Sequence, residues 1–245
     1  MKAPGAALVR AASKLRDELA PLARRKGSGC AFVLCPLDYA WKNHEEYLRR
    51  HARTGIDALL IGMNPGPWGM GQTGVPFGDP GLVKEFLGIA GPVEQPRRFH
   101  ERCPIRGVES PRSEVSGQRL WGGARSCFGS ADAFFERFFV ANYCPLLFLG
   151  ESGANMTPDK LPAEWMRPVL EACDEHLRTL VATLEPARVL GVGAWAAKRA
   201  SIALDRPVDS LLHPSPASPA ANKGWLEAAR RQLAEAGCPW PDPRS

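Results

Sequence analysis

A chain of 245 residues, 44% of them hydrophobic, can bury a sizeable core as one large domain or two small ones, and its composition excludes disorder over most of its length. Its formal charge of +5, from 31 Lys and Arg against 26 Asp and Glu, suits a polyanionic partner without demanding one. No run nears the roughly 20 apolar residues of a bilayer span, and charges at Arg10, Lys14, Arg16, Asp17 and Glu18 interrupt any secretory leader, so no membrane partner and a reducing, cytoplasmic location (nuclear in a eukaryote) are expected.

Residues 6–24 read as an amphipathic helix, with Leu8, Ala11, Ala12, Leu15 and Leu19 near one face and Pro21 set to kink or shorten its end. A short apolar run at 31–34 predicts a strand, 43–51 a charged surface helix, and 58–63 a buried strand. From 64 to about 112 the chain is rich in Gly and Pro, with one helical interruption near 82–87. So long and weakly patterned a stretch in a compact domain is usually functional. A second buried strand follows at 138–142, then a helix at 163–184, a strand at 188–192, a helix at 194–204, a strand at 209–212 and a helix at 223–236. The last eight residues, three of them Pro, read as a frayed, flexible tail, which leaves one domain over 1–245 with its core at about 28–237.

Strands alternating with helices predict an α/β fold: a three-layer sandwich with a central, mostly parallel β-sheet flanked by helices. Ligands of such sheets gather at the carboxyl ends of the strands. Three of the predicted strands run straight into unusual polar segments, at Asn64, Asn142 and His213, so a site is expected where those ends converge.

The seven cysteines are irregularly spaced and contain no C-x-x-C pair, which speaks against zinc; an iron–sulfur cluster needs four thiolates, of which Cys30 and Cys35 could supply two. Buried small hydrophobes explain most of them better. Neither a metal nor an organic cofactor is expected. Gly191-Val192-Gly193-Ala194-Trp195-Ala196 has the spacing of a dinucleotide fingerprint. It lacks the acidic residue at a following strand end, so close helix–strand packing is the preferred account of its glycines.

Chemistry concentrates in two segments. The first is Gly62-Met63-Asn64-Pro65-Gly66-Pro67-Trp68-Gly69-Met70, continuing through Gln72 to Gly78. Its glycines and prolines fix an irregular backbone just after a strand. It presents the Asn64 amide at the sheet edge and Phe77, between Pro76 and Gly78, as a surface for a planar ring. The second is His213-Pro214-Ser215-Pro216-Ala217-Ser218, leading to Asn222-Lys223-Gly224-Trp225. Taken alone, a rigid loop, a hydrogen-bonded His and a turn Asn at 142 account for these residues better.

Together the two segments resemble the single-strand-selective monofunctional uracil-DNA glycosylases. Ser113 to Gly117, Asn142 to Leu146 and Ser152 to Pro158 also resemble family segments, in the right order over about residues 37–236. The resemblance implies a uracil-DNA glycosylase-like fold and a monomeric, monofunctional base-excision repair enzyme that flips a uracil out of single-stranded or duplex DNA. It implies Asn64 and His213 as catalytic residues, the first positioning water and the second meeting uracil O2. It implies Met63, Gly66, Phe77 and Asn142 around the base, with Asn142 reading N3–H and O4. Pro214, Ser215, Pro216, Ala217, Ser218 and Lys223 would face DNA. Gly66 stands where other uracil-DNA glycosylases carry Tyr, which implies room for 5-hydroxymethyluracil. One departure is Ala217, where family members often carry Arg at a wedge; a stronger bias toward single strands follows from it. The alternatives are a deaminated-purine or mismatch-directed glycosylase on the same fold, and a lesion-binding protein with weak catalysis.

Overall fold

The computed structural model describes residues 4–244. Four strands, β2 (Ala58–Gly62), β3 (Phe138–Asn142), β6 (Arg188–Val192) and β7 (Asp209–Leu211), form a parallel sheet in the order β3-β2-β6-β7. β2 is buried along its whole length and β3 along all but its last residue, as expected of central strands covered on both faces by helices. Because all four strands are parallel, Gly62, Asn142, Val192 and Leu211 end on one edge, and Gly62 pairs directly with Asn142. The expected α/β sandwich and its convergent strand ends are present.

The helices are α1 (Pro4–Ala23), α2 (Pro36–Tyr39), α3 (Trp41–His51), α4 (Met70–Thr73), α5 (Pro80–Glu85), α6 (Val115–Phe128), α7 (Ala131–Phe135), α8 (Ala163–Leu184), α9 (Ala194–Leu204), α10 (Pro219–Asn222) and α11 (Trp225–Glu235). α9 packs on β6 and β2, and α8 packs on α1 and α9. Close approach of α9 requires Gly191: a Cβ there would lie 2.6 Å from the Ala197 Cβ and closer still to its backbone. Of the two fingerprint-like glycines, Gly191 is a packing residue.

Four expectations are refined or corrected. The strand at 31–34 exists as β1 (Phe32–Leu34), but it joins β4 (Leu147–Leu149) and β5 (Asn155–Met156) in a separate antiparallel sheet. The boundaries at 28 and 237 are too narrow, since Leu8, Leu15 and Leu19 of α1 are core residues. Nor is 238–244 frayed. Trp240 is 4% exposed and packs edge-on against Phe128, Phe134 and Phe138, the Arg244 N–H donates to Ser126 O at 2.8 Å, and Asp242 pairs with Arg230. Finally, the helix expected at 223–236 is present as α11, which starts only after Gly224, whose φ of 133° no other residue adopts readily; the short α10 closes before it at Asn222. Pro21 lies inside α1 and does not end it before Ala23. Among the described residues no helix is long and apolar enough to cross a membrane.

Candidate active site

β2 delivers the chain into residues 63–79, whose polar side chains from Gln72 onward are engaged within the segment and by neighbouring elements. Gly66 O accepts from the N–H groups of Gly69 (3.4 Å) and Gly71 (3.0 Å), closing a tight turn. Gln72, fully buried, donates to Pro67 O (2.9 Å) and Pro104 O (3.1 Å) and accepts from the Arg106 N–H (2.8 Å). His44 of α3 holds Gly74 O at 2.8 Å. At the far end Asp79 accepts from the N–H groups of Leu82 (3.2 Å) and Glu114 (3.0 Å), tying the segment to the start of α6. A segment with so few free donors and acceptors is stiff, and it fixes what it carries.

Three of the predicted site residues meet at the carboxyl edge. A Cβ on Gly62 would strike Asn142 Oδ1 and lie 2.6 Å from Phe77 Cε2, so the missing side chain at 62 is what lets the amide and the ring share this space. The Asn142 amide nitrogen donates to Met70 Sδ at 3.2 Å. Phe77 is held at φ 51°, unusual for a bulky side chain, and its ring centre lies 6.0 Å from that of His213 at 45°. Beneath His213 sits Gly193, where a Cβ would come within 3.3 Å of the imidazole.

Burial pushes the His213 pKa down, so the ring is neutral at pH 7. Its Nδ1 is enclosed without a partner. A neutral imidazole carries one proton, and an N–H enclosed without an acceptor costs more than a bare lone pair that still keeps its dispersion contacts. The proton therefore belongs on Nε2.

Asn64, two residues beyond Gly62, turns its amide nitrogen toward the carbonyls of Pro65 (3.3 Å), Met156 (3.4 Å) and Leu146 (3.5 Å). These contacts fix the amide's sense: its donor end faces the backbone, and Oδ1 accepts nothing from the described residues. Asn64 shares no hydrogen bond with Asn142 or His213. Met63 is half-buried, and its carbonyl accepts from the Cys144 N–H at 2.9 Å, joining the ends of β2 and β3.

Beyond His213 the chain forms an exposed hairpin-like loop. Pro214 is buried, Ser215 and Ser218 are half-buried, and Pro216, Ala217 and Lys223 are exposed. Arg119 of α6 braces it, donating to Pro214 O and Ser215 O (both 3.2 Å) and to Asn222 Oδ1 (2.8 Å). Asn222 in turn donates to Pro216 O at 2.9 Å, and Ser218 Oγ caps α10 by accepting from the Ala221 N–H.

Sequence reasoning assigned no role to Arg119, Gly62 or Glu114, and read Gly193 as a helix–strand packing glycine rather than as the residue beneath His213. The Glu114 carboxyl lies against two glycines of the first segment, because a Cβ on Gly66 or on Gly69 would collide with its oxygens. Burial, with Asp79 close by, pushes this carboxyl up to about 7.

Fold and site together define an α/β protein whose sheet brings an amide, an aromatic side chain and a neutral imidazole together at its carboxyl edge. The family model of the Uracil DNA glycosylase superfamily matches residues 50–234. The chain is 48% identical over 207 residues to the single-strand selective monofunctional uracil-DNA glycosylase of Rattus norvegicus, covering 82% of this chain and 74% of that protein. It is 45% identical over 229 residues to the Bos taurus protein of the same name, covering 91% and 84%. The crystal structure of wild-type Pedobacter heparinus SMUG2 shares the fold, with a TM-score of 0.65 over 97% of this chain and 98% of that one at 16% identity. The chain belongs to the single-strand selective monofunctional uracil-DNA glycosylases, within the uracil-DNA glycosylase superfamily.

Proposed function

We propose that this chain hydrolyses the N-glycosidic bond of uracil in DNA and leaves an unbroken strand with an abasic site, using no metal or organic cofactor. The observation that carries this reading is the meeting of Asn142, Phe77 and a half-buried, neutral His213 at one sheet edge. A base stacked in a duplex is out of reach of such a site, so the nucleotide turns out into it. Single-stranded and duplex DNA both serve, and the enzyme works as a monomer.

As the bond breaks, positive charge grows on the sugar and negative charge on the base. Only contacts that tighten with that change lower the barrier. The Nε2 proton of His213 meets the charge developing at uracil O2. A neutral imidazole is suited to this, because it donates without holding the anion as a fixed ion pair. Phe77 carries the face of the ring, and Asn142 pairs with N3–H and O4. The amide of Asn64 is too weak a base to deprotonate water, so it positions water through its free Oδ1. A general base is worth about 10²–10⁴-fold, and the missing factor predicts a modest turnover. At the C5 edge Gly66 adds no bulk of its own, which supports release of 5-hydroxymethyluracil as well as uracil. Pro214, Ser215, Pro216, Ala217, Ser218 and Lys223 form the DNA-facing rim.

The test is release of uracil from a single-stranded oligonucleotide by the parent and by Asn64→Ala, Asn142→Ala and His213→Ala. His213→Ala is expected to lower kcat/KM by roughly 10²–10³-fold, as loss of a single oxyanion donor does. Asn142→Ala should lower the preference for uracil over cytosine. Wild-type rates in both variants would end the proposal, and a strand break appearing without alkali would end its monofunctional part.

A further inference from the structure

A groove of about 800 Å³, which the reaction above does not use, runs along β1. One wall is the end of α1 with Arg24, Arg25 and Lys26, and the other is the segment 94–98. Phe32, Val33 and Leu34 all line it, although successive side chains of a strand point to opposite faces, so the groove follows the strand's free edge. Five cations line it, Arg24, Arg25, Lys26, Arg97 and Arg98, against two carboxylates, Asp38 and Glu94, and all seven are exposed. Among the described residues none of these cations lies within ion-pair distance of a carboxylate. Arg25 is engaged otherwise, donating to Trp165 O at 2.7 Å. Arg98 lies over the Phe32 ring, 5.5 Å from its centre, and Phe99 beside it is exposed. Unpaired cations interleaved with rings suit single-stranded nucleic acid, whose phosphates meet the charge and whose bases stack on the rings.

The position of the groove says which strand. The loop at 214–223 follows β7, at one end of the parallel sheet. The small antiparallel sheet stands toward the other end, where Asn64 turns its amide to the carbonyls of Leu146 and Met156. Cys30, which lines the groove, touches Met156 Sδ at 3.8 Å, so one side chain separates the groove from Asn64. Tyr39, also in the lining, donates to Gly71 O at 2.7 Å and accepts from the Glu94 N–H at 2.7 Å, which ties the groove to the segment after β2. We propose that this groove is the track of the unpaired strand that leaves the pocket on the side away from the 214–223 loop. Arg24, Lys26, Arg97 and Arg98 meet its phosphates, and Phe32 and Phe99 take its bases. This rests on the reading of the site as a pocket for a uracil in DNA.

An acidic peptide adding itself to the edge of β1 would answer the same charge. The observations favour DNA over it. β1 is three residues long, against about five or six for an ordinary strand, so it offers a peptide little backbone to pair with. A peptide also has no need of rings in the wall, nor of a groove that ends beside Asn64. A nucleotide turned into the pocket, by contrast, drags its neighbours on both sides across the surface, and one of the two flanks has no contact on the 214–223 loop.

The experiment lengthens one flank at a time. Single-stranded oligonucleotides carry one uracil with short flanks on both sides, with a long 5′ flank only, or with a long 3′ flank only. KM and kcat are measured for the parent, Arg97→Ser/Arg98→Ser and Arg24→Ser/Lys26→Ser, each checked for folding by its melting temperature. In the parent, lengthening the flank that enters the groove is expected to lower KM roughly 10-fold, about the worth of one stacked base. Both double variants should lose most of that gain, keep the effect of the other flank, and keep the parent's kcat on the shortest substrate. The slope of log KM against log salt should flatten by about 1.4 for two lost phosphate contacts. Folded variants that keep the parent's gain, or lose the gains of both flanks equally, would overturn the proposal, as would a parent that gains from neither flank. Binding of a peptide of alternating Glu and Val to the parent and not to the variants, with no gain from either flank, would give the groove to a protein instead. Failure to release uracil from any of the oligonucleotides would strike the reading of the site itself.

Discussion

The segment after β2 and the loop after β7 both leave the same sheet edge, and both are dense in Gly, Pro and small polar residues. They are built in opposite ways. Every residue from 69 to 80 is buried, and the polar side chains among them are engaged. The loop from Pro216 to Gly224 is largely exposed and is held by Arg119 and Asn222 at its base, with Pro216 and Ala217 free at its tip. On the proposed reading, similar composition thus serves a socket that must not deform around a small ring and a rim that rides on a polymer of varying shape. Added atoms have nowhere to go in the first region and open water to enter in the second.

The sharpest way to break this contrast is to add one methyl group to the socket. In Gly62→Ala the new Cβ strikes Asn142 Oδ1 and comes within 2.8 Å of two Phe77 ring carbons, so either the amide or the ring must leave its place. Overpacking of this kind costs roughly 1–3 kcal/mol, and misplacing a reading group adds to it, so kcat/KM on single-stranded uracil DNA should fall about 10²-fold. Activity within twofold of the parent would mean that the socket yields as readily as the rim.

The socket was only partly legible in the sequence, for reasons that differ from residue to residue. β2 and β3 stood out because strands buried on both faces leave continuous apolar runs, and once they were placed, Asn142 and the segment at 64 had to emerge on one edge. α6 was missed because Gly117, Gly122 and Gly123 dilute its helix propensity. Its inward residues Gly117, Leu120, Trp121, Ala124, Cys127 and Phe128 nevertheless keep helical spacing, and Gly117 is needed where the helix meets the Phe77 carbonyl. Glu114 and Arg119 could not have been assigned from pattern at all. Each acts on backbone far away in the chain, Glu114 on the glycines at 66 and 69 and Arg119 on carbonyls at 214 and 215, and only the fold creates those contacts. The tail was misread because three prolines resemble a disordered end, although Trp240 has an aromatic cluster to fill.

Acid offers a second, smaller test of the socket's rigidity. His44, which holds Gly74 O, is buried, and burial lowers its pKa to about 4 against 6.5 for a free imidazole. The unfolded chain therefore takes up a proton as pH falls through 6.5, while the folded chain does not until about 4. The stability this group contributes is complete above pH 6.5 and is lost across that window. At pH 5 the loss is about 2 kcal/mol. In His44→Asn the drop in unfolding free energy between pH 7 and pH 5, measured by urea titration, should be smaller by about that amount. An equal drop in both proteins would show that the imidazole is charged or free to leave, and that the socket is less tightly held than its hydrogen bonds indicate.

The smallest effect is expected where the rim is altered. Ala217 is exposed at the tip, and on the proposed reading its methyl group is too short to fill a gap in a base stack or reach a phosphate. Ala217→Arg adds a planar cation that can do both, without disturbing the carbonyls that Arg119 holds below it. A duplex opened by a flipped nucleotide has a gap to fill, whereas a single strand has none. The substitution should therefore raise excision from duplex uracil DNA by about two- to fivefold, slow release of the abasic duplex, and steepen the dependence of binding on log salt by roughly 0.9 for one further neutralised phosphate. Excision from single strands should move less than twofold. Were the duplex rate unchanged, the tip would not enter the stack, and strand preference would have to be sought in the socket.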